Sequence, residues 1–250
     1  MTAASAKPTV LVVQHEPDTG PGWFGEWLIH AGVALDTVHP YAGSPLPGLA
    51  AYDGLLVLGG AMGPLDDDTC PWLPATRTLM ASAVDSSLPT FGICLGGELL
   101  SVACGGSVPR GAHGPELGVL PVEVLAAAAD DPVFGGLATT LRVVQWHWEE
   151  IAELPEGAVL LVTGDPYRHQ AFRVGAVAGG VQGHPEVTAD IAAAWAREDS
   201  PLLVAAGREP ESLVAEVRGA EAELAAAWRP VAERFAGVVR AGAGRRLARH

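Results

Sequence analysis

The sequence predicts an α/β protein: an open, mostly parallel sheet with helices on both faces, mixed strands in the second half and a helical appendage at the end. Three observations carry this. Short β-branched apolar runs alternate with helix-period segments over the first hundred residues, the pattern of a parallel sheet with crossover helices. From Ser107 to Val181 short strands dominate. Beyond Asp190 the chain turns to Ala, Glu and Arg at helical spacing.

The elements follow in order. Thr9–Val13 is an apolar run bounded by Pro8 and Gln14-His-Glu-Pro17, hence a buried strand. Trp23–Ala31 has helical spacing, with Trp23, Trp27, Leu28 and Ala31 on one face. Leu35–Val38 and Tyr52–Leu58 are strands, the latter running into Gly59-Gly60. Leu73–Val84 is a helix after Pro71, Pro89–Ile93 a strand and Leu95–Ala103 a helix. The second half offers strands at Gly118–Leu125, Leu141–Trp146, Ala158–Val162, Gln170–Val174 and Ala176–Val181. In the final segment Val217, Leu224, Trp228, Val231, Phe235 and Val238 form one amphipathic stripe. It packs on the main domain or serves as a dimer or partner surface, and Pro230 is expected to kink or divide it.

Composition narrows the function classes. With 49% hydrophobic and 18% charged residues, the 250-residue chain can bury a sizeable core. A net charge of −14 argues against a nucleic-acid binder, which needs a basic face. Arg245, Arg246 and Arg249 read as a solvated terminus. Three cysteines make no disulfide framework, Met1–Pro8 is too short and polar for a signal peptide, and no apolar run is long enough to span a bilayer. A cytoplasmic protein without membrane contact is expected. Asp66-Asp-Asp68 reads as a solvated acidic loop or helix cap, no His-x-x-x-His or Cys-x-x-Cys spacing occurs, and no phosphate loop or dinucleotide fingerprint follows a strand. No metal or cofactor is expected. Cys104 reads as a packing residue and Cys70 as an oxidisable loop thiol.

The chemistry concentrates at Phe91-Gly-Ile-Cys-Leu-Gly-Gly-Glu98. Cys94 falls between an apolar strand and a helix, with Gly92 and Gly96 at ±2, the arrangement of a nucleophile elbow with Cys in place of Ser. A nucleophile on so sharp a turn crowds the backbone, and the glycines relieve it. The helix N-terminus behind the thiol is expected to lower its pKa and hold a developing oxyanion. A cysteine nucleophile needs a base. Gly183-His-Pro-Glu186 supplies one after a strand, with Glu186 two residues beyond His184 to orient the imidazole. Taken alone, each motif also fits a structural strand end or a small core cysteine.

Together these motifs resemble the class I glutamine amidotransferase family, whose pattern is Gly-x-Cys-x-Gly-x-Gln on the elbow and Gln-Phe-His-Pro-Glu later. Here the two stretches read Gly92-Ile-Cys94-Leu-Gly96-Gly-Glu98 and Gln182-Gly-His184-Pro-Glu186. Leu58-Gly-Gly-Ala-Met62, Gln145-Trp-His-Trp148 and His169-Gln-Ala-Phe-Arg173 support the resemblance, which is closest to free-standing proteins like the amidotransferase part of GMP synthase. It implies a flavodoxin-like sheet over residues 1–190, with residues 191–250 as a helical extension packed on it. It further implies a Cys94-His184-Glu186 triad, oxyanion-hole N–H groups from Gly60 and Leu95, and substrate contacts at Trp148 and Glu149. His147 is read as a structural neighbour of the site.

Two departures stand out. Glu98 replaces the Gln that reads the polar end of glutamine; a carboxylate there favours an ammonium group and repels the substrate carboxylate. Gly183 replaces Phe, which is expected to widen the pocket or loosen the His184 strand. Three functions follow as alternatives: a glutaminase-type amidotransferase serving a synthetase partner, a γ-glutamyl amine or peptide hydrolase of the same fold, or a catalytically weak interaction module. The expected partners are a small-molecule substrate and either a synthetase or a second copy of the chain.

Overall fold

The computed structural model describes residues 7–247. Most of Met1–Pro8 and Arg249 of the basic tail lie outside the described residues. One nine-stranded sheet carries the molecule, in the order β2-β1-β3-β4-β9-β8-β7-β5-β6. Its parallel part comprises β1 (Thr9–Val13), β2 (Ala34–Val38), β3 (Gly54–Val57), β4 (Thr90–Ile93) and β9 (Ala178–Val181). The antiparallel part comprises β5 (Glu116–Val124), β6 (Thr140–His147), β7 (Val159–Thr163) and β8 (Ala171–Val174), with β8 pairing antiparallel to β9. The fold is therefore the α/β class expected from the sequence. Strand ends differ by one or two residues, as at β5, which begins at Glu116 rather than Gly118.

The period-2 pleat places alternate β1 residues on opposite faces. Val10 and Val12 enter a core shared with α1 (Gly22–His30) and the C-terminal helix through Phe24, Trp27, Trp228 and Phe235. Leu11 and Val13 enter a second core with α2 (Leu73–Asp85) and α3 (Leu95–Ala103) through Leu73, Met80, Leu95 and Leu99. Each fully buried Leu or Phe contributes roughly 1.5–3 kcal/mol.

After β9 come α4 (Ala189–Glu198), α5 (Ser200–Ala205) and α6 (Pro210–Leu247). Thr188 caps α4, its hydroxyl accepting the Ile191 N–H at 3.2 Å. The long α6 runs through Pro230 without interruption, so the expected division does not occur. Packing overrides the proline: Trp228, Val231 and Ala232 on either side are buried in the first core. Val217, Leu224, Trp228, Val231 and Phe235 face the body of the protein, with Val239 deeper than Val238. That apolar stripe is consumed inside the chain and is not a docking surface. Cys70, expected in an oxidisable loop, is buried in the second core. Among the described residues no helix is long and apolar enough to cross a membrane.

Candidate active site

Four parallel strands end at one place. Beyond β1 lies Glu16, beyond β3 Gly59-Gly60, beyond β4 Cys94 and beyond β9 Gln182-Gly-His184. Open α/β sheets bind ligands outside the carboxyl ends of their strands. Here those ends border a cavity of about 150 Å³.

Cys94 has φ 49° and ψ −111°, a strained conformation for a residue with a side chain. Its N–H donates to Val181 O at 2.8 Å, and its C=O accepts the Glu98 N–H at 2.9 Å. The elbow fits only because of its glycines. A Cβ on Gly92 would lie 2.3 Å from Gly96 O, and one on Gly96 would lie 2.1 Å from Val57 O.

The base follows β9, the last of the parallel strands, and is tied to the antiparallel part of the sheet. The His184 N–H donates to Val144 O at 2.8 Å, tying this loop to β6. His184 Nδ1 lies 2.8 Å from Glu186 Oε1, and both side chains are buried. A Nδ1–H donated to that carboxylate leaves the Nε2 lone pair free, and among the described residues His184 Nε2 has no hydrogen-bond partner. A methyl placed on Gly59 would sit 3.0 Å from His184 Cε1 and 3.7 Å from Cys94 Cβ, so the two side chains converge. The Trp195 indole of α4 packs edge-on against the His184 ring, centroids 4.8 Å apart.

Burial pushes the Cys94 thiol well up, the nearby Glu98, Glu186 and Glu149 push further, and the Leu95 N–H opposes them only partly. Dehydration and three carboxylates thus act against the lowering that the sequence led us to expect from the helix N-terminus.

Gly60 lines the cavity, and a Cβ on it would lie 3.0 Å from the Leu95 side chain, so the two expected oxyanion donors are neighbours. Glu98, Trp148 and Glu149 line the same cavity. The Glu149 carboxylate pairs with Arg110 at 3.0 Å, and the Arg110 guanidinium lies 5.9 Å from the Trp148 ring centroid. The carbonyls of Trp148 and Glu149 already accept from the Gly111 N–H and from His147 Nδ1. Buried His147 also meets Glu116 Oε2 at 2.9 Å, and Glu116 in turn accepts from Gln170. With both ring nitrogens engaged, His147 braces the wall.

Glu98 is buried, and its Oε1 accepts from Gln182 Nε2 at 2.8 Å. Burial pushes its pKa up to about 7; the Gln182 hydrogen bond opposes this, Glu149 adds to it and His147 counters it. This moves its titration toward neutrality, whereas the sequence reading treated it simply as a carboxylate. Gly183 does not widen the pocket. Val143 fills the space, since a Cβ on Gly183 would lie 2.7 Å from Val143 Cγ2, and the bond to Val144 holds the strand.

Sequence reasoning missed Glu16, Asp18, Trp195, Glu198 and Asp199, all of which line the cavity. Glu16 and Asp18 had a usable signal, a polar loop at the carboxyl end of the first strand. Trp195, in an Ala-rich helix far along the chain, had none.

A family model described as "Glutamine amidotransferase class-I" matches residues 24–194. "Gamma-glutamyl peptidase 5" of Arabidopsis thaliana is 30% identical over 145 residues, covering 57% of this chain and 57% of the peptidase, so the chain spans little over half of that relative. The glutamine-hydrolyzing GMP synthase subunit of Archaeoglobus fulgidus is 32% identical over 145 residues, 58% of this chain and 72% of the relative. The crystal structure of a glutamine amidotransferase from Thermotoga maritima superposes with a TM-score of 0.83 at 28% identity, covering 92% of this chain and 99% of that one.

Proposed function

The chain belongs to the class-I glutamine amidotransferase family, and from that premise we propose that it is a Cys-His-Glu hydrolase of γ-glutamyl amide bonds, acting on glutamine or a γ-glutamyl amine. One observation carries the reading: strained Cys94 and His184, whose Nε2 is unpartnered while Glu186 holds Nδ1, converge at the carboxyl end of the sheet.

The chemistry follows from the resting charges. With burial pushing the thiol up, the thiol proton passes to His184 Nε2 as sulfur attacks the side-chain carbonyl. Glu186 stabilises the imidazolium that forms. The N–H groups of Gly60 and Leu95 receive the oxyanion, each worth roughly a hundredfold in rate. The carbon–nitrogen bond then breaks, His184 gives its proton to the departing nitrogen, and a γ-glutamyl thioester remains. Water attacks that thioester with His184 as base, the carbon–sulfur bond breaks, the sulfur regains its proton and glutamate leaves.

Two acceptor arrangements differ. The likeness to a GMP synthase component supports ammonia delivery to a synthetase partner. The likeness to a γ-glutamyl peptidase, with Glu98 in place of Gln, supports a free-standing hydrolase, and we favour the latter because Glu98 lines the cavity. Glutamate release from glutamine and from γ-glutamyl amines tests the reading. Turnover abolished in Cys94→Ala is expected; turnover retained in that variant overturns it.

A further inference from the structure

The cavity has two electrostatic walls. The inner one, nearest the thiol, carries Glu98 and Glu149, which act on Cys94. The outer one carries Glu16 and Asp18 from the loop after β1, and Glu198 and Asp199 from the end of α4. These four residues lie outside the stretch, residues 24–194, that the family model matches. Among the described residues none of the four outer carboxylates is ion-paired. They crowd one another. Glu16 is pushed up by burial and then by Asp18, Glu198 and Asp199, against the Ala61 N–H it accepts at 2.9 Å; Glu198 is pushed up chiefly by its hydrogen-bonding contact with Asp18. Asp199 is held in place by the Trp146 indole N–H at 2.8 Å. Among the described residues no three of these groups converge to hold a metal ion, whereas carboxylates spread along one wall suit an extended organic cation.

The outer wall adjoins the proton donor. Trp195, on the same helix as Glu198, packs on His184, which lines this cavity and whose buried Nε2 has no hydrogen-bond partner among the described residues. If His184 protonates the leaving nitrogen and the glutamyl end is taken by Glu98, Trp148 and Glu149, as in the hydrolase reading, the leaving group falls on the side of the outer wall. Resting on the hydrolase reading above, we propose that the outer wall is a leaving-group subsite for a second, protonated amine, so that the preferred substrates are γ-glutamyl derivatives of diamines.

The test uses the full chain and three probes of similar length: γ-glutamyl-1,4-diaminobutane, neutral γ-glutamyl-pentylamine and anionic γ-glutamyl-4-aminobutyrate. In Cys94→Ser, calorimetric titration is expected to give a Kd for the diamine compound at least about tenfold below that of the pentylamine compound, the size of one partly screened charge contact. The anionic compound should bind weakest. In wild type, kcat/KM should rank the same way, and in Asp18→Asn/Glu198→Gln the diamine-to-pentylamine ratio should fall toward one. Equal Kd values for the charged and neutral probes overturn the subsite whether or not either is hydrolysed. Cys94-dependent hydrolysis without charge preference overturns the subsite and leaves the hydrolase standing. Charge-selective binding without any turnover supports the subsite and overturns the hydrolase.

Discussion

The parallel and antiparallel halves of the sheet build the site by different means. The parallel half holds Cys94 by steric exclusion: a positive φ at the end of β4, with Gly92 and Gly96 pressed against backbone oxygens. The antiparallel half works by hydrogen bonds: Val144 of β6 ties down His184 in the loop after β9, and His147 is joined to Glu116 and Gln170. The nucleophile is thus set by what cannot fit around it, and the base by what it is bonded to. A steric device tolerates no added atom, whereas a polar network tolerates isosteric change but not the loss of a partner.

The largest effect separates chemistry from geometry. Cys94→Ala should lower glutamate release by roughly 10⁴-fold, since removing a triad member leaves only binding and the oxyanion hole. The β4–α3 turn should survive, with the variant's melting temperature near that of wild type by calorimetry. Removing the hydrogen-bonded device comes next. Glu186→Gln frees His184 from its oriented tautomer and should cost roughly 10²–10⁴-fold in kcat with little change in KM, measured by steady-state kinetics.

Breaking the steric device should appear in stability. Gly96→Ala brings a methyl 2.1 Å from Val57 O, a backbone atom that cannot yield, and should destabilise by roughly 3 kcal/mol or more in urea unfolding. Gly183→Ala, in the loop bonded to the other half, meets the Val143 side chain at 2.7 Å and Val144 O only at 3.0 Å, and should cost roughly 1–2 kcal/mol. Equal losses would erase the contrast between the halves.

The smallest prediction concerns Glu98, which joins the halves through Gln182. Its folded pKa of about 7 lies above the ordinary 4.5, so the folded state binds the proton more tightly than the unfolded chain. The stability associated with that proton is fully present below pH 4.5 and is lost as pH rises through 7. Glu98→Gln keeps the acceptor for Gln182 but cannot ionise. Its stability relative to wild type should therefore rise between about pH 4 and pH 8, by on the order of 3 kcal/mol, in denaturant titrations. A constant difference across that range would mean that Glu98 is not titrating there.

The sequence alone determined the alternation of strands and helices, the elbow around Cys94 and the pairing of His184 with Glu186, because these rest on period, glycine spacing and neighbours two residues apart. The tertiary structure decided three other things. Burial among carboxylates pushes both the Cys94 thiol and the Glu98 carboxyl up. Val143 took the space that Gly183 had suggested was open. And α4 brought Trp195, Glu198 and Asp199 to a cavity that also holds Glu16 and Asp18. The reason is one of range. Backbone sterics act between near neighbours and can be read along the chain, whereas dielectric environment, cavity shape and the meeting of charges about 180 positions apart depend on which surfaces the fold brings together.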